Sequence, residues 1–250
     1  MNSTAKKFLI NFLYALGVIA AILLIWYVTS LAVDSELIAP NPWGVIALTF
    51  TLLGKGGTYL ALLSTLLRSV IAFAASFAAA LGLSLLVGVF PQTKPAVDKV
   101  VTIFRAVPTM SIILITLVLV SSTVVPAIVA FLVAFPVSYS AFTREIYADS
   151  KLADMCKVYG VSRLSKTRYV LLPQIKSAIV PQVKDTLPLC LKVVIAGEAL
   201  SLPRSGLGQQ MYVAKVNLNT ANVLALTLLA LAACFIIQGV VALCEKKIAK

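Results

Sequence analysis

The chain contains no histidine. That excludes Ser-His-Asp and Cys-His catalysis, imidazole metal sites and imidazole proton relays. Acidic residues are scarce too, nine against 21 Lys and Arg, so paired-carboxylate chemistry has little to draw on. The four cysteines, Cys156, Cys190, Cys234 and Cys244, form no CxxC pair and read as small apolar residues. No GxxxxGK[ST] phosphate loop is present. The nearest stretch, Gly54-Lys55-Gly56-Gly57, lacks both the spacing and the hydroxyl. If ATP drives this protein, another chain binds it.

What the chain has in abundance is apolar surface. It is 60% hydrophobic and 12% charged, with a mean hydropathy of +1.01. A soluble core of this size has no room for that much apolar area, whereas a bilayer does, at roughly 20 residues per spanning helix. The expected fold is an all-α polytopic membrane protein with six transmembrane helices. They cover about Phe8–Val33, Tyr59–Phe90, Val100–Val120, Val124–Phe142, Ser177–Leu200 and Ala221–Leu243. The third and fourth are separated only by Ser121-Ser122-Thr123. Lys6-Lys7 precedes an apolar run longer than the ~7–15 residues of a signal peptide, so that run is read as a retained first helix. Residues 1–56 form an N-terminal helix and outer loop. Residues 57–250 form a membrane core with a cytoplasmic loop at 144–176.

The net charge of +12 does not read as a nucleic-acid footprint, because of where it lies. With the N-terminus inside, Lys94, Lys99, Arg105, Arg144, Arg163, Lys166, Arg168 and Lys176 join both termini on the cytoplasmic side. Only Lys55, Arg204 and Lys215 fall outside. This is the positive-inside bias, and it sets both termini in the cytoplasm. In the second span Ala74, Ala78 and Gly82 recur every four residues, with Ser84 and Gly88 beyond, a spacing that lets membrane helices approach closely.

The polar loop between the fourth and fifth spans is the most informative stretch. Leu152, Met155, Cys156 and Tyr159 fall at i, i+3, i+4, i+7 of a short amphipathic helix. Gly160 stands where a left-handed terminating residue belongs. Ser162 is placed to cap a second helix, from Arg163 to about Leu171. One apolar face calls for a groove on a partner, and the basic flank suits an acidic rim or anionic headgroups. An amphipathic anchor lying on lipid is the plainer reading of the same pattern.

Within the fifth span, Lys184, Pro188 and Lys192 share a face at i, i+4, i+8, with Leu189 and Val193 turning away. Glu198 lies nearer the outside. Ionisable groups in hydrocarbon cost ~2.5–3.5 kcal/mol or more and so face protein or water. Lys184 and Asp185 suit internal pairing or snorkelling. Lys192 and Glu198 suit a wet translocation route. For Arg68, snorkelling to an interface suffices.

The loop resembles the coupling loop of bacterial ABC importer permeases. That loop reads Glu-Ala-Ala, three residues, Gly, then Leu-Pro about a dozen residues on. Here Asp154-Met155-Cys156 stands in the Glu-Ala-Ala position, after Leu152-Ala153, and Gly160, Ser162, Leu172 and Pro173 match in kind and spacing. Leu62–Arg68, Ala106–Pro108, Gly197-Glu198 and Gly206-Leu207-Gly208 resemble further motifs of the nitrate, sulfonate, taurine and thiamine-precursor group. The stretch after Leu119 departs from that group's pattern. The resemblance implies a type I (MetI-like) permease core of five helices plus one N-terminal helix in the bacterial inner membrane. It implies a second permease subunit, a homodimer in the simplest case, a cytosolic ATPase dimer on the loop and an extracytoplasmic substrate-binding protein. ATP and Mg would sit on the partner ATPase and no cofactor on this chain, which would be non-catalytic. An ATP-independent secondary carrier or channel is the alternative, though no inverted repeat of the kind many such carriers show is apparent.

Overall fold

The computed structural model describes residues 3–33, 35–148, 152, 155, 156 and 158–248, and among them every regular element is helical. In chain order they are α1 Ser3–Val33, α2 Pro42–Leu53, α3 Gly56–Val89, α4 Lys94–Ala106, α5 Thr109–Leu119, α6 Val125–Ile146, α7 Arg163–Lys166, α8 Leu172–Ser201, α9 Leu207–Val216 and α10 Thr220–Ile248. The protein is an all-α membrane protein. Among the described residues, four helices are long and apolar enough to cross a bilayer, five if the bent pair described below is one span. The 30-residue α8 is long enough as well, but Lys184, Asp185, Lys192 and Glu198 dilute its apolar character.

Helices α3, α6 and α8 pack on one another and form the centre. The face that α3 turns inward is built of small and hydroxyl residues: Ala61, Thr65, Ser69, Ala72, Ser76, Ala80, Ser84 and Gly88. Their hydroxyls cost little in an apolar interior because they bond back within the helix, as Ser69 Oγ does to the Thr65 carbonyl at 2.7 Å. The expected stripe of Ala74, Ala78 and Gly82 is displaced from this face and exposed. Only Ser84 and Gly88 of the expected set pack inside the chain. Towards one end of the bundle, Phe142, Ile146, Leu171 and Ile175 close the core around Val87. Towards the other, Leu207 joins Val45 and Ala61 with Leu226 of α10.

Three expectations need correction. The third span, Val100–Val120, is not one helix, since α4 and α5 meet at 90°. Pro108 is the cause. It pushes the preceding residue out of the helical region, and Val107 sits at φ −70°, ψ 125°. The outer loop 34–58 holds the apolar helix α2. Asn41 Oδ1 caps it by accepting from Trp43 N at 3.0 Å, and Pro42 occupies the first turn, where no N–H is required. The second helix of the polar loop does not stop near Leu171. It passes through a π-helical turn, Thr167–Leu171, into α8. Pro173 has no N–H to return to the Tyr169 carbonyl, and a widened turn is one way a helix absorbs that loss.

Candidate functional site

The described part of the loop forms a capped corner. Leu152, Met155, Cys156 and Val158 are helical, and Gly160 takes φ +58°. Val161 N then reaches back to the Cys156 carbonyl at 3.0 Å, the six-to-one bond of a Schellman ending. Ser162 Oγ accepts from Ser165 N at 3.2 Å and starts the next helix. Gly160 and Ser162 therefore do what their positions in the sequence suggest. Ala153 and Asp154, with Lys151 and Lys157, lie outside the described residues. Among the described residues of the corner, Val158 and Leu164 are each 81% exposed, and Met155 and Tyr159 are exposed as well. Cys156 is half-buried, while Leu172 and Pro173 lie on the exposed side of α8.

The tether that holds the corner to the bundle is illegible in the sequence. The last turn of α3 leaves backbone carbonyls without helical partners. Tyr147, entering the loop, donates to the Val87 carbonyl at 3.0 Å, and Lys166, leaving it, donates to the Gly88 carbonyl at 2.9 Å. The Arg163 guanidinium lies 4.7 Å over the Phe90 ring, a favourable cation–π placement. Leu171 packs so closely that a Cβ on Gly88 would fall 2.9 Å from its Cδ1. Both ends of the loop thus grip one helix terminus. Lys166, expected on a basic flank facing a partner or lipid, turns inward instead and complements the negative end of α3.

At the opposite end, three motifs converge whose contacting residues lie up to 142 positions apart in the sequence. Glu198 is fully buried. Arg68 Nη1 meets its Oε1 at 2.7 Å, and Gly208 N donates to its Oε2 at 3.1 Å. Thr65 Oγ1 lies 2.8 Å from Oε2 and accepts from Leu207 N at 2.9 Å. Arg68 also donates to the carbonyls of Ser205, at 2.8 Å, and Thr123, at 3.2 Å. The two glycines of the turn are there because nothing larger fits. A Cβ on Gly206 would lie 2.5 Å from the Glu198 carboxyl, and one on Gly208 would lie 2.0 Å from the Ile195 carbonyl oxygen. Leu202, at φ 48°, ends α8 and starts the turn. Glu198 is therefore enclosed by protein and does not line a wet route, and Arg68 is its ion-pair partner where snorkelling was expected.

Along α8 the expected grouping of Lys184, Pro188 and Lys192 is also redrawn. Pro188 is buried, Lys184 is half-buried, and the exposed face runs through Pro181, Asp185, Lys192 and Ala196. Leu189 and Val193 are half-buried beside it. The adjoining buried face carries a polar cluster that sequence reading missed. Gln182 Nε2 donates to Thr186 Oγ1 at 2.6 Å and to Ser138 Oγ of α6 at 3.3 Å. Among the described residues, no group of three or more Cys, Asp or Glu stands close enough to hold a metal ion.

Compared with known families, residues 79–250 match the model described as binding-protein-dependent transport system inner membrane component. Against curated proteins the chain finds no match.

Proposed function

The chain belongs to the family of binding-protein-dependent transport system inner membrane components, the multi-pass permease components of ABC importers, and from that premise we propose that it couples a cytosolic ATPase to a substrate pathway formed with a second copy of itself. ATP and Mg belong to the ATPase, and a substrate-binding protein delivers cargo from outside. Both termini and the 144–176 loop face the cytoplasm. The cargo is a small solute of the nitrate, sulfonate, taurine or vitamin-precursor kind.

The observation that carries this reading is the capped corner at Gly160 and Ser162. It presents exposed Val158, Tyr159 and Leu164 while Tyr147 and Lys166 fasten it to α3. A lipid anchor needs the apolar face alone. A lever needs the fastening too. Leu164→Glu places a charge on the exposed face without touching the core. The variant is expected to insert and purify normally but to lose capture of the co-expressed ATPase in pull-down. Undiminished capture would remove the corner as the docking site.

On α8, Lys192 is exposed on the described chain, and an uncovered ammonium at membrane depth calls for water or a partner subunit. Lys192→Met is expected to leave assembly and basal ATP hydrolysis intact and to lower transport. A Lys192→Cys variant is expected to react with a small hydrophilic thiol reagent in one nucleotide state only. Equal reactivity in both states together with normal transport by Lys192→Met would move the pathway to another helix.

A further inference from the structure

A polar cavity of about 490 Å³ opens between α4 and α6 next to the end of α3, within the usual ~300–1,000 Å³ of ligand sites. Its groups are unevenly satisfied. Both oxygens of Asp98 are taken, Oδ1 by the Tyr139 hydroxyl at 2.8 Å and Oδ2 by Lys94. Tyr139 has thereby spent its only proton. What remains unspent is donors. Arg144 lines the cavity and makes no hydrogen bond or ion pair among the described residues. Lys94, over the Tyr147 ring at 5.2 Å, keeps further N–H groups. Arg105 reaches the rim through Ser140 at 3.3 Å. Thr143, one turn beyond Tyr139, is 95% buried; its Oγ1 lies near the Tyr139 hydroxyl but makes no hydrogen bond of ordinary geometry, which costs stability unless a better partner fills the gap.

We infer that this cavity binds a phosphate group, presented either by an anionic phospholipid of the inner leaflet or as the free anion. A phosphate supplies what the cavity lacks: acceptor oxygens for Arg144, Lys94 and the Thr143 hydroxyl, with charge to offset the surplus of cations. The lipid source requires the cytoplasmic orientation proposed above, because basic pockets between helices at that face hold headgroups. A bound headgroup would pin α4, the helix that turns 90° into α5, to the surface.

The test uses the full chain, delipidated in detergent and titrated separately with phosphatidylglycerol, phosphatidylcholine and inorganic phosphate. Native mass spectrometry reads the bound species, and the thermal midpoint reads stability. Phosphatidylglycerol is expected to be retained over phosphatidylcholine, and Arg144→Gln to cut that retention by about tenfold, the size of one charge-assisted hydrogen bond. Thr143→Val keeps the shape, removes the orphan hydroxyl and is expected to be no less stable unliganded, yet to bind less. Stabilisation by inorganic phosphate, lost in both variants and without preference between the lipids, would assign the free anion as the source. Equal binding of phosphatidylglycerol and phosphate by wild type and both variants overturns the site, as does a wild type that prefers neither to phosphatidylcholine. Orientation is read independently, from Lys99→Cys on a background without native cysteines. Labelling from the cytoplasmic side keeps the topology whatever the titrations show, and labelling from outside overturns the inner-leaflet source.

Discussion

Glu198→Ala is expected to cost more stability than any other single carboxylate replacement in this chain. Removing the carboxylate strands Arg68 with only carbonyl partners and leaves Gly208 N without an acceptor. Breaking one side of a buried pair costs about 3–5 kcal/mol. For a chain of this size that is a fall of roughly 10 °C in the thermal midpoint. The pair should behave as a unit. Arg68→Met combined with Glu198→Leu should lose less than the sum of the two single changes, because the double variant leaves no uncompensated charge. Strictly additive losses would show that the two residues act separately. Gly208→Ala should be as damaging by a different route, since its Cβ would meet a backbone carbonyl that cannot rotate away. The measurement in each case is thermal unfolding of the purified protein, followed by transport in proteoliposomes for whatever survives.

The second large effect is expected at Gly160, and there space is not the issue. Nothing lies within 4 Å of the Cβ that a substitution would add. The constraint is the backbone at φ +58°, which costs an ordinary L-residue roughly 1–2 kcal/mol and a β-branched one more. A penalty of that size lowers the population of the docked corner about tenfold. Gly160→Val should therefore insert and fold but transport about tenfold more slowly, with ATP hydrolysis no longer matched to cargo. Gly160→Asn provides the control, because Asn tolerates the left-handed region and should retain most transport. Normal transport by the Val variant, or equal loss in both variants, would separate the corner's geometry from coupling.

The sequence made some of this legible and hid the rest for physical reasons. Gly160 and Ser162 were readable because a helix ending and a helix cap are local events, decided by residues within one turn. Long apolar runs were readable because the bilayer imposes a length. The Arg68–Glu198 contact was not. Each residue looks like a lone charge in a span, and only the fold brings together positions 130 apart. The 90° turn at Val107-Pro108 was hidden in a run whose apolar content fits a single span. The signal was the amphipathic character of Lys94–Ala106, with Lys94, Asp98, Lys99 and Arg105 spaced along an otherwise apolar stretch. In α3, Ala74, Ala78 and Gly82 lie on a face that this chain itself does not cover. Spacing identifies a stripe, but which stripe is covered depends on where α6 and α8 lie.

One feature of the fold binds the two ends of the molecule into a common balance. From the cap at Ser162 to the turn at Leu202, helical backbone runs without interruption through the π turn, a helical path of roughly 58 Å along the axis at 1.5 Å per residue. One end carries the corner proposed to meet the ATPase on the inside, and the other carries Glu198 and the glycine turn, on the outside in the proposed orientation. Coupling free energies are reciprocal. If nucleotide on the inside resets the outer turn by way of this helix, then a cargo-loaded protein pressing on that turn must change the affinity for nucleotide by the same factor. On the proposed coupling, the vacant carrier would have no reason to close on ATP, and restraint of idle hydrolysis would follow from the same helix proposed to transmit the stroke.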